Sequence, residues 1–379
     1  MTGEPTPTGL RARLGTLLST PRGKTVAGVG SVVLLAGCAV TAVSLTSSEE
    51  PPPTTTTTTT STTTTTTAPP PPPPPPPVYP LTGLPAPDPA VLARPTLIVK
   101  IDNAEPASRP QAGINNADVV YEERVEGAVT RFMAIYHSHD AMPVGPVRSA
   151  RTSDIGLFQP LNRPLFSWSG ANAIFEARIR AAGIVDVGAP VAPQFYARAG
   201  DRRAPHNLLL ESTMEVWATS YPEATPPPTP LFTYRGASDP PAPGGTPITG
   251  VRIVFAVGPG SAPVEFVWNG AGWARSQNGT PHVDSEGNQI APENVIVQYT
   301  PYANSDTNDQ FGVPIREAQT VGQGEALVLT GGVAYTARWS KSAANAPTQY
   351  VDAAGAPIGL TPGRTWVELP EPGTTGILP

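Results

Sequence analysis

The sequence predicts an α/β or α+β N-terminal domain followed by a mostly-β C-terminal domain, both placed after a membrane anchor and a disordered Thr/Pro stalk. Three observations predict it. Strand-like and helix-like runs mix between residues 80 and 221. Short strands separated by turn signals fill residues 248–379. Before residue 80 the chain is basic, then uncharged and apolar, then almost pure Pro and Thr. At 379 residues the chain has room for two ordinary domains with appendages.

The first element is an anchor. Residues 1–24 are basic, with Arg11, Arg13, Arg22 and Lys24, and residues 25–48 carry no charge until Glu49 and Glu50. Positive charge ahead of an apolar run keeps the N-terminus cytoplasmic and exports the chain beyond that run. Two readings of residues 25–45 compete. "LAGC" (35–38) has the form of a lipobox, which makes Cys38 the lipidated N-terminus of the mature protein. The same uncharged run is about twenty residues long, enough to span a bilayer as one helix. Both place the rest of the chain on the extracytoplasmic face of the cell membrane. Cys38 is the single cysteine, so no internal disulfide forms.

Residues 46–79 are predicted to be a disordered stalk, because a Pro/Thr tract has too little apolar surface to offset chain entropy. Polyproline geometry, about 3.1 Å per residue, gives it a reach on the order of 90 Å.

The domain at 80–221 starts with strands at "TLIVKI" (96–101), "ADVVYEE" (117–123) and "VTRFMAIYHS" (129–138). A helix is expected over 149–161 with Ser149 as its cap, then a strand at 164–168 and a helix over 170–183 with Ile174, Phe175, Ile179 and Ala182 near one face. A strand at 184–187 and a helix over 211–221 close the domain. A Pro-rich linker occupies 222–247. In 248–379, strands are expected at 250–257, 264–269, 273–277, 294–299, 326–330, 333–340, 348–351 and 365–369, with hairpin turns at "NGAG" (269–272), "QNGT" (277–280) and "TGG" (330–332).

The motifs "PLTGLP" (80–85), "GPVRSAR" (145–151), "RAPHN" (203–207), "PHVDSEGNQIAPENVIVQY" (281–299) and "GRTWVELP" (363–370), in that order, resemble the YerB-like family of bacterial envelope lipoproteins. The resemblance runs from residue 80 to the C-terminus. It implies a two-domain, membrane-anchored envelope protein, and the family, being of unknown function, implies no mechanism.

Candidate chemistry centres on arginine. The chain is acidic, with 24 basic and 30 acidic side chains, yet 12 of its 21 arginines lie in residues 81–220. The guanidinium fork suits carboxylate and phosphate. Arg131, Arg148, Arg151, Arg203, His206 and Asn207 are therefore the candidate ligand-binding residues, with a helix starting near Ser149 expected to add positive potential. The opposing reading pairs these arginines with Asp118, Glu122, Glu126 or Asp154 as structural ion pairs. Asp102, Glu122 and Glu126 are candidate acid–base carboxylates, and Asp102 ends its strand, where ligand sites of α/β folds gather.

"HSHD" (137–140) offers two histidines on one strand, too few for a metal site, and no metal or cofactor is expected. No G-x-S-x-G, H-E-x-x-H or Walker loop is present. An acidic exported chain also argues against nucleic acid. The leading expectation is a non-enzymatic envelope protein that binds cell-wall polymer or an anionic lipid-linked ligand. An enzyme acting on wall polymer or lipid phosphate is the rival, and a purely structural scaffold the third reading.

Overall fold

Runs of β-branched and aromatic residues form three central strands, β1 (Leu97–Asp102), β2 (Val119–Arg124) and β3 (Thr130–Tyr136), nearly all of whose side chains are buried. Burial on both sheet faces explains why they read as continuous apolar runs rather than as alternations. The computed structural model describes residues 76–225, 230–256, 261–308 and 312–378. Segments 1–24 and 25–45, Cys38 and all but the last four residues of the 46–79 stalk lie outside the described residues. Among the described residues no helix is long and apolar enough to cross a membrane.

A single turn, α1 (Pro89–Ala93), leads in, with Asp88 accepting from the Ala90 N–H as its cap. Beyond β3, α2 (Asp154–Phe158) links to β4 (Leu165–Ser167), and α3 (Ala173–Ala181) links to β5 (Val185–Asp186). β4 runs parallel to β1 and β5 parallel to β4, and α3 makes the β4–β5 connection a β-α-β crossover. A short hairpin, β6 (Tyr196–Arg198) with β7 (Leu208–Leu210), and α4 (Thr213–Ala218) come next.

The mostly-β part supplies two further sets of strands. β9 (Gly250–Ile253), β10 (Val264–Trp268), β11 (Trp273–Gln277), β12 (Thr280–Pro281) and β20 (Thr375–Leu378) form a five-stranded sheet. β8 (Thr246–Pro247), β13 (Asn294–Gln298), β16 (Gly322–Thr330), β17 (Val333–Lys341), β18 (Gln349–Val351) and β19 (Thr365–Leu369) join β1–β5 in one eleven-stranded sheet. β14 (Tyr302–Asn308) and β15 (Pro314–Ala318) make a separate hairpin.

The class is the one the sequence predicts: mixed α/β first, mostly β second. The two parts nevertheless share a sheet. β19 lies parallel between β13 and β2, with Trp366 beside Val120 and Glu368 beside Glu122. The described residues accordingly form one compact unit. The 222–247 linker is itself tied down. Leu231 and Phe232 are buried, and the Tyr234 hydroxyl donates to the Leu81 carbonyl.

The eleven-stranded sheet is packed on both faces. On one, Val120, Phe132 and Trp366 meet Val251, Phe266 and Trp273 of the five-stranded sheet. On the other, Ile98, Val119 and Met133 meet Phe158 of α2 and Phe175 and Ile179 of α3.

Several expectations change. The helix placed at 149–161 starts at Asp154, and its preceding residue, Ser153, turns its hydroxyl to Glu123 instead of capping. Ser149 therefore starts no helix, and no helix N-terminus reinforces Arg148. Ile174 is exposed, while Phe175 and Ile179 face the core as expected. The histidine pair does not share a strand, because β3 ends at Tyr136: His137 is buried and His139 is exposed. Among the described residues no group of His, Cys, Asp and Glu could hold a metal.

Candidate functional site

Alternation along a strand sends Asp102 and Lys100 to the α-helical face of the sheet and Ile101 to the other. β1 pairs antiparallel with β3, and this register sets Arg131 opposite Asp102 and, from β2, opposite Glu123. The chain then returns past this point as "GPVRSAR". The Arg148 N–H donates to the Lys100 carbonyl, which holds the arginine beside the end of β1.

The residues proposed from sequence separate here into two groups. Arg151 is a structural member. Its guanidinium donates from Nη2 to both Glu126 carboxylate oxygens at 2.5 and 2.6 Å, and from Nη1 to its neighbour Ala150's carbonyl at 2.7 Å. Burial opposes ionisation of Glu126, but Arg151 outweighs it and holds that carboxyl below its ordinary range. Arg131 is almost fully buried and donates to the Ser149 carbonyl at 3.0 Å. Burial, together with the charges of Arg151 and Arg148, pulls its pKa down to about 9, because Glu126 and Asp102 offset them incompletely. Asn207 is also structural: its amide accepts from Arg198 and donates to the Ala199 carbonyl.

Asp102, Arg148 and His206 form the outward-facing group. Asp102 is 1% exposed, with Oδ1 accepting from the Ala104 N–H at 3.1 Å and Oδ2 lying 2.5 Å from His206 Nδ1. The same Oδ2 is 3.3 Å from Arg148 Nε. His206 and Arg148 keep 24% and 21% of their side-chain surface in solvent. Among the described residues no group accepts a hydrogen bond from the Arg148 Nη atoms, and the exposed Arg203 side chain has no partner. Arg203 precedes His206 by one turn, closed by its carbonyl and the His206 N–H. Neighbouring Arg202 fixes this turn to the rest of the site by donating to the Ser108 and Pro110 carbonyls.

A buried carboxylate thus orients a half-exposed imidazole, with one guanidinium at its flank and another one turn away. Such a set can receive an anion on the free Arg148 and Arg203 nitrogens, and can move a proton at the outer nitrogen of His206.

Glu122 faces the opposite side of the sheet and does not reach this group. Fully buried, it accepts from Thr130 and Asn103 on one oxygen and from Arg275 at 2.6 Å on the other. Arg275 and Glu368 are partners the sequence reading did not pick out. Glu368 is fully buried, and its carboxyl oxygens have no hydrogen-bond partner. Burial, then the charge of Glu122, raises its pKa well above the ordinary range and favours the neutral acid. His282 also lies buried, between Arg275 and the Gln111 side chain. Strand alternation in "TWVEL" and "WARSQ" was the available signal, since a charged residue on a core-facing position needs a buried partner.

Comparison with known proteins adds a family and a fold. The chain matches the N-terminal domain of a protein of unknown function, DUF3048, over residues 81–221, and the C-terminal domain of DUF3048 over residues 252–367. Over 72 residues it is 47% identical to "Putative lipoprotein YerB" of Bacillus subtilis (strain 168), a stretch covering 19% of this chain and 21% of that protein. The crystal structure of YerB from Bacillus subtilis superposes with a TM-score of 0.66 at 23% identity, covering 80% of this chain and 99% of that one. At that identity the likeness is one of fold.

Proposed function

This chain belongs to the DUF3048 family, both of whose domains it carries, and from that premise we propose that it is a membrane-anchored protein of the cell envelope that binds an anionic ligand at Arg148, Arg203 and His206. A relative that bears a lipoprotein name supports the location, as do the basic, apolar and Pro/Thr segments ahead of residue 80. The ligand is a phosphate- or carboxylate-bearing wall polymer or lipid-linked intermediate. One observation carries the reading. Around Asp102, Arg148 and Arg203 are the arginines that combine solvent exposure with Nη atoms that donate to no group among the described residues. Arginines serving structure alone are expected to have their outer nitrogens engaged, as both Nη atoms of Arg151 are.

The test is titration of the full-length protein with poly(glycerol phosphate). Arg148→Lys keeps the charge and loses the fork, and it should weaken binding about 10-fold or more without lowering Tm, since hydrogen bonds to charged groups contribute roughly 1.5–3 kcal/mol. Binding equal to the parent's would remove the site.

The Asp102–His206 contact of 2.5 Å favours a second reading, an enzyme that cleaves the same polymer with His206 as general acid–base. Phosphomonoester release by the parent protein, absent in His206→Ala, would select it over binding alone.

A further inference from the structure

A second site lies off the same end of β1, on the opposite face of the sheet. A cavity of about 490 Å³, within the range of small-molecule sites, is bordered by Asn103, Glu105, Thr130 and Gln277, with Pro106 and Val129 among its apolar wall. We infer that this cavity binds a neutral, hydroxyl-rich ligand, a sugar unit of a glycan, held by the Asn103 and Gln277 carboxamides and the Glu105 carboxylate. The inference does not rest on the arginine site. It uses none of the same side chains.

The polar floor is built in advance. Asn103, Thr130 and Gln277 are 3%, 7% and 2% exposed. Asn103 Nδ2 lies 2.7 Å from Thr130 Oγ1 and 3.1 Å from both Glu122 Oε1 and Gln277 Oε1. Gln277 Oε1 also accepts from Arg109 and from Arg275 Nη2. Behind them the Glu122–Arg275 ion pair is fully buried. Rotamers locked by such a network lose little further entropy when a ligand arrives.

Glu105 is the exception to this saturation. Its carboxylate makes only long contacts, 3.4 Å from Gln277 Nε2 and 3.5 Å from Arg109 Nη1, and remains partly exposed. Among the described residues it is the one ionisable side chain on the cavity wall.

The chemistry of the wall selects the ligand. A carboxylate with spare acceptor capacity demands donors and repels anions, so the ligand differs from that of the arginine site. A lysine-like cation would satisfy Glu105 but offer no acceptor to Gln277 Nε2, whose contact to Glu105 is a long 3.4 Å. Sugar hydroxyls both donate and accept, matching carboxylate and carboxamide together, while their C–H faces pack on Pro106 and Val129. The site also requires both halves of the chain, since Asn103, Glu105 and Thr130 come from the first and Gln277 from the second.

The experiment is calorimetric titration of the full-length protein with neutral oligosaccharides of gluco, N-acetylgluco, galacto, manno and arabino configuration, alongside tri-lysine and inorganic pyrophosphate. Glu105→Gln removes the acceptor charge, and Ala128→Phe fills the cavity from its wall; Tm is measured for both. At least one oligosaccharide should bind the parent. Glu105→Gln should weaken it at least 10-fold at unchanged Tm, and Ala128→Phe should abolish it, while Arg148→Lys leaves it intact. Failure of every sugar to bind at millimolar concentration overturns the inference. So does sugar binding that both cavity variants retain, or binding of tri-lysine in place of sugar.

Discussion

At the scale of residues, the molecule places more charge inside than its composition suggests, and each buried charge is resolved by a partner or a proton. Lys100 is fully buried between Asp154 at 2.7 Å and Glu123 at 3.1 Å, one ammonium for two carboxyls. Burial and the charge of Glu123 leave Asp154 with a pKa raised to about 7 despite Lys100, whereas Lys100 and Ser153 overcome burial to hold Glu123 low. Between the ordinary value of 3.8 and about 7, the folded state keeps an Asp154 proton that the unfolded chain has released. That contribution to stability is therefore present at low pH and lost as pH rises through the window. Asp154→Asn should remove it, so the Tm of the parent relative to the variant should fall from pH 4 to pH 7; a constant difference would refute the assignment. Glu122 and Glu368 should differ in the same spirit. Glu368→Gln replaces a carboxyl that burial and Glu122 push toward its neutral form, and it should leave Tm nearly unchanged at pH 7. Glu122→Gln strips Arg275 of its counter-charge and should cost about 3–5 kcal/mol, the usual loss when one partner of a buried ion pair is removed. Thermal unfolding of the two variants side by side decides it.

At the scale of elements, turn chemistry and side-chain alternation were legible because both are local. The "TGG" turn joins β16 to β17 with Gly331 and Gly332 at φ of +59° and +80°, and "QNGT" joins β11 to β12 through Asn278 and Gly279 at +53° and +73°. At Gly332 a Cβ would also meet the Trp268 indole at 2.9 Å. Gly332→Ala should accordingly cost more than about 1 kcal/mol, read as a lower denaturation midpoint at unchanged m-value. The α2 start was not legible. Ser149, Thr152 and Ser153 all suit a cap, and the choice of Asp154 as first helical residue comes from its bond to Lys100 across the core. The β6–β7 and β14–β15 hairpins escaped the sequence reading, because their strands are short or largely exposed and lack an apolar period.

At the scale of the whole molecule, the central fact is that β19 inserts between β13 and β2 and turns two sequence segments into one sheet. Trp366 of β19 stacks edge-on against Phe132 from the first segment and Phe266 from the second, at 5.3 and 6.1 Å between ring centres. Proteolysis within residues 222–230 should therefore nick the chain without separating it. The two fragments should co-elute on gel filtration in native buffer and part only in denaturant. Free fragments after a native nick would show that the shared sheet does not hold them.

The sequence by itself determined the order and type of most strands, the hairpin turns and the concentration of arginine before residue 221. Each is written in local period, turn residues or composition. It also pointed to the end of β1, because Asp102 closes an unmistakable strand. Tertiary structure alone decided which arginines are spoken for. Arg148 and Arg151 are equivalent in "GPVRSAR", and only the approach of Asp102 with His206 to the first, and of Glu126 to the second, distinguishes a guanidinium with free Nη atoms from one whose Nη atoms are engaged. The same holds for Glu122 and Glu368. Their side-by-side placement depends on a parallel pairing between strands from opposite halves of the chain, and a pairing of that range leaves no trace in the periodicity of either strand.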